Sequence, residues 1–403
     1  MKISILGASS FSTPGLFALE PPLDGSRFQF AFVGRDLKRL AAVKRASTVL
    51  ARSRNYEPQI ETFSLPDLAT ALSGADAILI QVRIGGHAAR CWDETFPHRY
   101  SLCGDEGLGA GGLAAAWRTW PELSRILATV NEIAPGAPIV MMTAPLGILV
   151  RCALKAFPQL RVFGICELPY TTLIDACRPP PSTFESVRFD YVGVNHIGWF
   201  TSVTADGHAV VTADAPLPLK YVRLHTNAAE ILAEQRAKQP RGRELERLAD
   251  SAFPVFDAGD AEAVLTMLRQ RSTPWYGQAV GPLLNALAGS DDDRWYFLTT
   301  RNDGYLQSLP GEAIVEIPHR RIGEAFLPAK LGARPPAQIE EILAAFVAYE
   351  QLAADAVLCR STAALSKALR AHPWIGGART SRALVKDIVA PVEPRAAGVG
   401  GAA

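Results

Sequence analysis

A chain of 403 residues, 48% hydrophobic and 20% charged, has the material for a sizeable core and for two domains. Its 41 Lys and Arg against 40 Asp and Glu leave a formal net charge of +1, which gives neither the basic excess that draws nucleic acid nor an acidic tail. No apolar run reaches the roughly 18 residues of a membrane helix, and the opening "MKISILGASS" reads as a strand and a turn, not as a secretory leader. Six cysteines (Cys91, Cys103, Cys152, Cys166, Cys177 and Cys359) follow no C-x-x-C spacing, so reduced thiols of a cytoplasmic protein are expected in place of a disulfide framework.

In chain order, "KISILG" is an apolar run closed by Gly7, and "FQFAFVG" (28–34) is a second strand with a helical stretch from Asp36 behind it. "ADAILIQV" (75–82) is a third strand; apolar residues at helical spacing over 120–134 separate it from a fourth, "APIVMMTAP" (137–145), and "RVFGIC" (161–166) is the fifth. Strands alternating with helices predict an α/β fold, a Rossmann-type doubly wound parallel sheet over residues 1–180. "PPPS" (179–182) then breaks the chain. Alternating apolar and polar residues through "SVRFDYVGVNHIGWFTSVTADGHAVV", with "ADG" as a hairpin turn, predict antiparallel strands. Helices are expected over 226–250 and 336–371, and the Gly/Ala-rich end "VEPRAAGVGGAA" is expected to fray. Residues 181–403 thus read as a C-terminal α+β domain.

The turn "ILGASSFSTP" has one glycine where the dinucleotide fingerprint has three. Gly7 closes the first strand, and the small residues Ala8, Ser9 and Ser10 allow backbone N–H groups to approach a diphosphate; an ordinary strand-to-helix turn reads equally well. At the end of strand two, "VGRD" offers two cofactors. Asp36 suits the ribose hydroxyls of NAD, and Arg35 suits the 2′-phosphate of NADP. At the end of strand five, "GICELP" puts the thiol of Cys166 beside the carboxylate of Glu167. Taken alone, that is a core thiol next to a solvated acid.

Five segments, in this order, change that reading: "GASSFSTP", "QVRIGGHAARCWDETFPHRYSLCGDEGLGAGGLAAAWRTWPEL" (81–123), "GICELP", "GVNHIGWF" (193–200) and "PWYGQAV" (274–280), followed by "TRNDGYLQSLPGEAIVEIP". The set resembles glycoside hydrolase family 4, the NAD- and metal-dependent glycosidases that include 6-phospho-α- and 6-phospho-β-glucosidases. The resemblance runs from about residue 3 to about residue 330. It implies a Rossmann domain joined to a second domain of lactate/malate dehydrogenase type, which carries substrate, metal and oligomer contacts. It also implies a homodimer or homotetramer that binds a small glycoside and neither nucleic acid nor membrane.

Position by position, the resemblance assigns a divalent metal, usually manganese, to Cys166 and His196. It makes Tyr276 the catalytic base and sets Asn195, Arg83 and Arg301 against the substrate, the two arginines near an anionic group. A thiolate and an imidazole are sensible ligands for a first-row metal, and a guanidinium suits a phosphate. A phenol, with a pKa near 10, needs a nearby cation before it can act as a base. Where the family has Asp in its α-glucosidases and Asn in its β-glucosidases, this chain has Glu167, an acid able to protonate a leaving oxygen, which favours an α-linked substrate. Where the family has an Asn-Pro pair, this chain has Ala144-Pro145. With Arg35, these departures describe a divergent member whose anion is a 6-phosphate or another group, such as the carboxylate of a glucuronide or the sulfonate of a sulfoquinovoside. The implied chemistry is oxidation of the sugar at C3 by NAD, loss of the C2 proton, elimination, addition of water and reduction. Competing readings are an NAD(P)-dependent dehydrogenase of a polyol or hydroxy acid, and a nucleotide-binding sensor without turnover.

Overall fold

The computed structural model describes residues 1–19, 23, 27–178, 186–271, 273–290, 294–375 and 377–392. The Pro-rich break at 179–182 and the expected frayed end from 393 lie outside them. Six strands build the parallel part: β1 (Lys2–Leu6), β2 (Gln29–Gly34), β3 (Gln59–Ser64), β4 (Ala77–Ile80), β5 (Ile139–Met141) and β6 (Val162–Ile165). They lie in the order β3-β2-β1-β4-β5-β6, the doubly wound order whose reversal between β1 and β4 opens a crevice at the strand ends. All but the edge strand β3 read as apolar runs because both their faces are covered. In β4, Ile78 and Ile80 enter one core with the helix Gly109–Ile133, and Leu79 enters the other with Ile3 and Ile5 of β1 and the helix Leu37–Arg52.

The structure adds a strand that the periodicity does not show. β3, "QIETFS", closes the parallel edge with Ile60 as its one buried residue, so its polar sequence carries no strand signal. The segment expected as a strand over 137–145 is shorter: β5 ends at Met141, and Met142 to Pro145 form a loop, because the chain there turns into the helix Leu146–Ala156.

Beyond β6 the same sheet continues with antiparallel neighbours. β7 (Arg188–Val194), β8 (Ile197–Ala205), β9 (His208–Val211), β10 (Leu217–Pro218), β11 (Trp295–Arg301), β12 (Ile314–Ile322) and β13 (Ala325–Pro328) complete 13 strands, running β6-β11-β12-β7-β8-β10 with β13 on β12 and β9 on β8. Asp206 and Gly207, at φ 47° and 80°, make the expected two-residue turn of the β8–β9 hairpin. Helices Ala228–Ala237 and Arg241–Ala258 fill the expected region at 226–250, broken where Pro240 precedes the second. Helices Ala337–Cys359 and Thr362–Ala371 fill that at 336–371, broken at Arg360 in the left-handed region. Among the described residues, Ala337–Cys359 is the one helix long and apolar enough to cross a membrane. It packs against Thr362–Ala371 and Leu146–Ala156, with half of its apolar window buried, as a core helix does. All six cysteines are free.

Candidate active site

A cavity of about 1280 Å³ opens at the crevice between β1 and β4 and runs to the end of β6 and the β7–β8 turn. One end of it is the loop after β1. Gly7 adopts φ 90°, and a Cβ there would lie 2.8 Å from the carbonyl oxygen of Gln81, so only glycine lets this loop close on the end of β4. The N–H groups of Gly7 and Ala8 both donate to the carbonyl of Val33, which ties the loop to β2. Ser9, Ser10 and Arg35 line the cavity here. Asp36 does not: it is the N-cap of Leu37–Arg52, accepting from the backbone N–H of Arg39 at 3.0 Å and pairing with that residue's guanidinium. The helix start has first use of the carboxylate, a competing role for this residue type at that position.

At the other end, β6 stops at Ile165, and Cys166 and Glu167 form the entry to the helix Leu168–Ala176. Cys166 is buried, and its thiol approaches the Glu167 carboxylate at 3.6 Å. Burial, with Glu167 and Glu316 nearby, pushes the thiol well above its ordinary pKa, and the Leu168 N–H at the helix start opposes this only in part. His196 sits in the turn between Val194 and Ile197 at φ 71°, its ring stacked on Tyr221 at 4.6 Å between centroids. Burial lowers its pKa, against Glu167 and Glu106. Its Nδ1 is enclosed without a hydrogen-bond partner. The orphaned imidazole nitrogen is costly alone and the buried thiol stays protonated; a divalent cation held by Cys166 and His196 would give the nitrogen a partner and favour the thiolate. Among the described residues no group of three or more His, Cys, Asp or Glu is gathered as a metal cage. Cys166 and His196 therefore fit an open, two-ligand site better than a closed structural one.

Tyr276 comes from a single π-helical turn, Trp275–Val280, a distortion that recurs at functional sites. It is 2% exposed and donates from Oη to Oε1 of Gln81 at 2.8 Å, while Nε2 of Gln81 donates to Thr13 Oγ1 at 2.9 Å. Burial raises the phenol's pKa; the polar contacts with Thr13, Gln81 and Trp275 and the charge of Arg271 pull the other way without winning. The phenol is held where the β1 loop meets the rest of the cavity, and burial keeps it protonated.

The flank of the cavity is cationic. Arg83, Arg90 and Arg271 line it with His87. Burial pushes Glu106 up, yet Arg83 and Arg90, both ion-paired to it, hold it down to about 2. Arg271 donates to Ser12 Oγ at 3.1 Å and lies over the rings of Phe11 and Trp275. Burial, then Arg90 and Arg83, lower it to about 10, and burial with the same arginines lowers His87 to about 4. Such a cluster attracts anions. Arg301 does not join it: it ends β11 opposite Ile314, exposed and outside the cavity lining, because the strand carries its side chain to solvent. Ala144 does line the cavity, as do Glu167 and Asn195.

Sequence reading passed over Gln81, Glu106, Tyr221, Arg271 and Glu316. Gln81 and Glu106 stand inside the long quoted segment, and Glu316 inside "GEAIVEIP". Each works through a partner distant in the chain, as Tyr276 is from Gln81 by 195 positions, so no local spacing marks it.

Residues 2–175 match the family 4 glycosyl hydrolases, and residues 217–375 match the C-terminal domain of the same family. The 6-phospho-beta-glucosidase BglT of Thermotoga maritima is 24% identical over 420 residues, which cover 96% of this chain and 98% of that protein. The structure of a Thermotoga maritima 6-phospho-beta glucosidase with manganese, NAD+ and glucose-6-phosphate superposes with a TM-score of 0.84 at 23% identity, over 96% of this chain and 97% of that one. Malate dehydrogenase of Cryptosporidium parvum superposes with a TM-score of 0.52 at 14% identity, over 89% of this chain and 99% of that one. The Rossmann order, the antiparallel continuation and two matched regions that together span most of the chain lead to one conclusion: this protein belongs to glycosyl hydrolase family 4.

Proposed function

We propose that the protein hydrolyses a small anionic glycoside, a 6-phospho-glucoside, by transient oxidation at C3 with bound NAD and a divalent metal ion. The observation that carries this is the convergence of Tyr276, Cys166 and His196 on the one cavity that the β1 loop also enters. Cys166 and His196 would hold the cation; the Gly7–Ser10 turn and Arg35 would meet the dinucleotide. When bound, NAD supplies a reversible hydride acceptor, and a cation such as manganese supplies a Lewis acid and the positive charge that the phenol lacks. Tyr276 then takes the C2 proton, made acidic by the neighbouring ketone. Glu167, half-buried beside Cys166, passes a proton to the leaving glycosidic oxygen. Asn195 and the arginine flank orient the sugar and its anion, with Arg83 nearest in role to a phosphate ligand. Water adds at C1, and return of the same hydride to C3 would leave the sugar with no net change of oxidation state. Family 4 stands outside the two-carboxylate scheme of most glycosidases, and no pair of carboxylates is needed here. The relatives named above support this reading, since one of them holds manganese, NAD+ and glucose-6-phosphate together.

Ala144 favours a second reading, the same chemistry on a glucuronide or sulfoquinovoside. Without an amide before Pro145, one anion or hydroxyl contact of the phospho-sugar enzymes has no counterpart here. Nitrophenol release decides between them, using α- and β-glucosides with and without 6-phosphate, glucuronides and sulfoquinovosides. Each is incubated with NAD+, Mn2+ and a thiol reductant, then with each omitted. Cleavage of a 6-phospho-glucoside that stops when NAD+ or Mn2+ is withheld is the expected result. Substrate consumption matched by NADH formation would mark a dehydrogenase instead.

A further inference from the structure

We propose that Glu316 is a positioning residue that fixes the side-chain amide of Asn195 with its carbonyl oxygen toward the cavity, so that the site accepts a hydrogen bond from a substrate hydroxyl at this point. The inference rests on the functional reading above and adds a residue to it. Glu316 lies in the middle of β12 and is 0% exposed. One carboxyl oxygen takes the O–H of Tyr191 at 2.6 Å, and the other takes Nδ2 of Asn195 at 3.3 Å. Among the described residues it has no ion pair with a cation, so this acid is buried on neutral donors alone, an arrangement that core packing does not require. Tyr191 and Asn195 each donate to one oxygen of the Glu316 carboxyl, so the NH2 of Asn195 is turned to Glu316 and its Oδ1 is left for the cavity that Asn195 lines beside His196.

The strands are built around this contact. Gly193 stands opposite both Glu316 of β12 and Gly198 of β8. A Cβ at Gly193 would lie 2.8 Å from the phenol oxygen of Tyr191, and one at Gly198 would collide with the same oxygen. Two facing glycines thus leave the slot through which Tyr191 reaches Glu316. The hydroxyl of Tyr305 donates to the backbone carbonyl of Tyr191 at 2.8 Å and holds the strand from the other side. The consequence for specificity is directional: a hydroxyl is bound at Asn195, and a keto or ether oxygen in its place is not.

A reciprocal pair of substitutions tests this. Glu316→Gln keeps an acceptor for Tyr191 but turns an NH2 toward Asn195, whose amide must flip and present a donor to the cavity. Asn195→Asp alone sets two buried carboxyl groups against each other. Combined, the two restore both the internal hydrogen bond and the acceptor in the cavity. On the best substrate of the panel, Glu316→Gln is expected to lower kcat/KM about 10- to 100-fold, and Asn195→Asp to lower it as much with a fall in Tm. The double variant should exceed either single in kcat/KM, in calorimetric affinity for glucose 6-phosphate and in Tm relative to Asn195→Asp. Wild-type kinetics in Glu316→Gln, or a double variant no better than the worse single, overturns the assignment. If the wild-type protein cleaves nothing in the panel, the functional reading fails, and the Tm cycle still decides how the amide is held.

Discussion

Tyr276 has an enclosed Oη whose hydrogen bond is to Gln81, and the charge that Arg271 brings does not lower its pKa below that of a free phenol. Tyr276→Phe removes the oxygen and little volume. Its kcat is expected to fall by about 10²- to 10⁴-fold, with NAD affinity in a direct titration unchanged; kcat within a few-fold of wild type would remove Tyr276 from the chemistry. Glu106 makes a prediction about stability. Its folded pKa is held below the ordinary carboxylate value, so its contribution is present above that value and lost as pH falls through about 2. Arg90→Met takes away one of its two guanidinium partners inside the protein. We expect a loss of about 3 kcal/mol at pH 7, shrinking once the pH drops under that of a free carboxylate. Equal losses at pH 7 and pH 3 would contradict it. That Cys166, His196 and Tyr276 share one cavity was legible in the sequence because each stands in a short segment whose flanks resemble a known family. Glu106 and Glu316 were not, since Arg83 is 23 positions from the first and Tyr191 is 125 from the second. Asp36 was legible as a residue type at a strand end, but the helix cap claims it.

Among the elements, the buried parallel strands were plain from their apolar runs and β3 was not, because an edge strand with one buried side chain looks like loop. The π-helical turn that presents Tyr276 has no pattern of its own, since it runs straight into the ordinary helix Gly281–Leu287 behind it. The C-terminal helices carry a feature that only packing reveals. His372, 2% exposed, lies against the rings of Phe346, Tyr349 and Trp374 and accepts at Nδ1 from the backbone N–H of Trp374 at 3.0 Å. Burial lowers its pKa to about 3. The unfolded chain protonates it near its ordinary value and the folded chain does not, so stability present above about pH 6.5 is lost as pH falls. His372→Phe removes that dependence. Relative to wild type, the variant should gain about 2 kcal/mol between pH 7 and pH 5 in denaturant melts; a constant difference would show that His372 is protonated inside the fold.

Across the whole molecule, one continuous sheet joins the half that carries the β1 loop to the half that carries His196 and Tyr276. The cavity lies where the two meet, so the dinucleotide and the sugar would be read by side chains from both. A ligand there stabilises the fold as a unit: at a hundred times its Kd, NAD+ should add about 2.7 kcal/mol. A larger shift with NADP+ at equal concentration would assign Arg35 to the 2′-phosphate, and no shift with either would contradict a dinucleotide site. Redox-assisted elimination also leaves a mark that direct hydrolysis does not, because the C2 proton is removed and replaced in each turnover. The most direct measurement is turnover of the best glycoside in D2O with NAD+ and Mn2+, following the sugar by NMR and NADH by absorbance. Deuterium at C2 of the released sugar, with no net NADH, is the predicted result. Released sugar that keeps its C2 proton, or NADH rising in step with substrate loss, would contradict it.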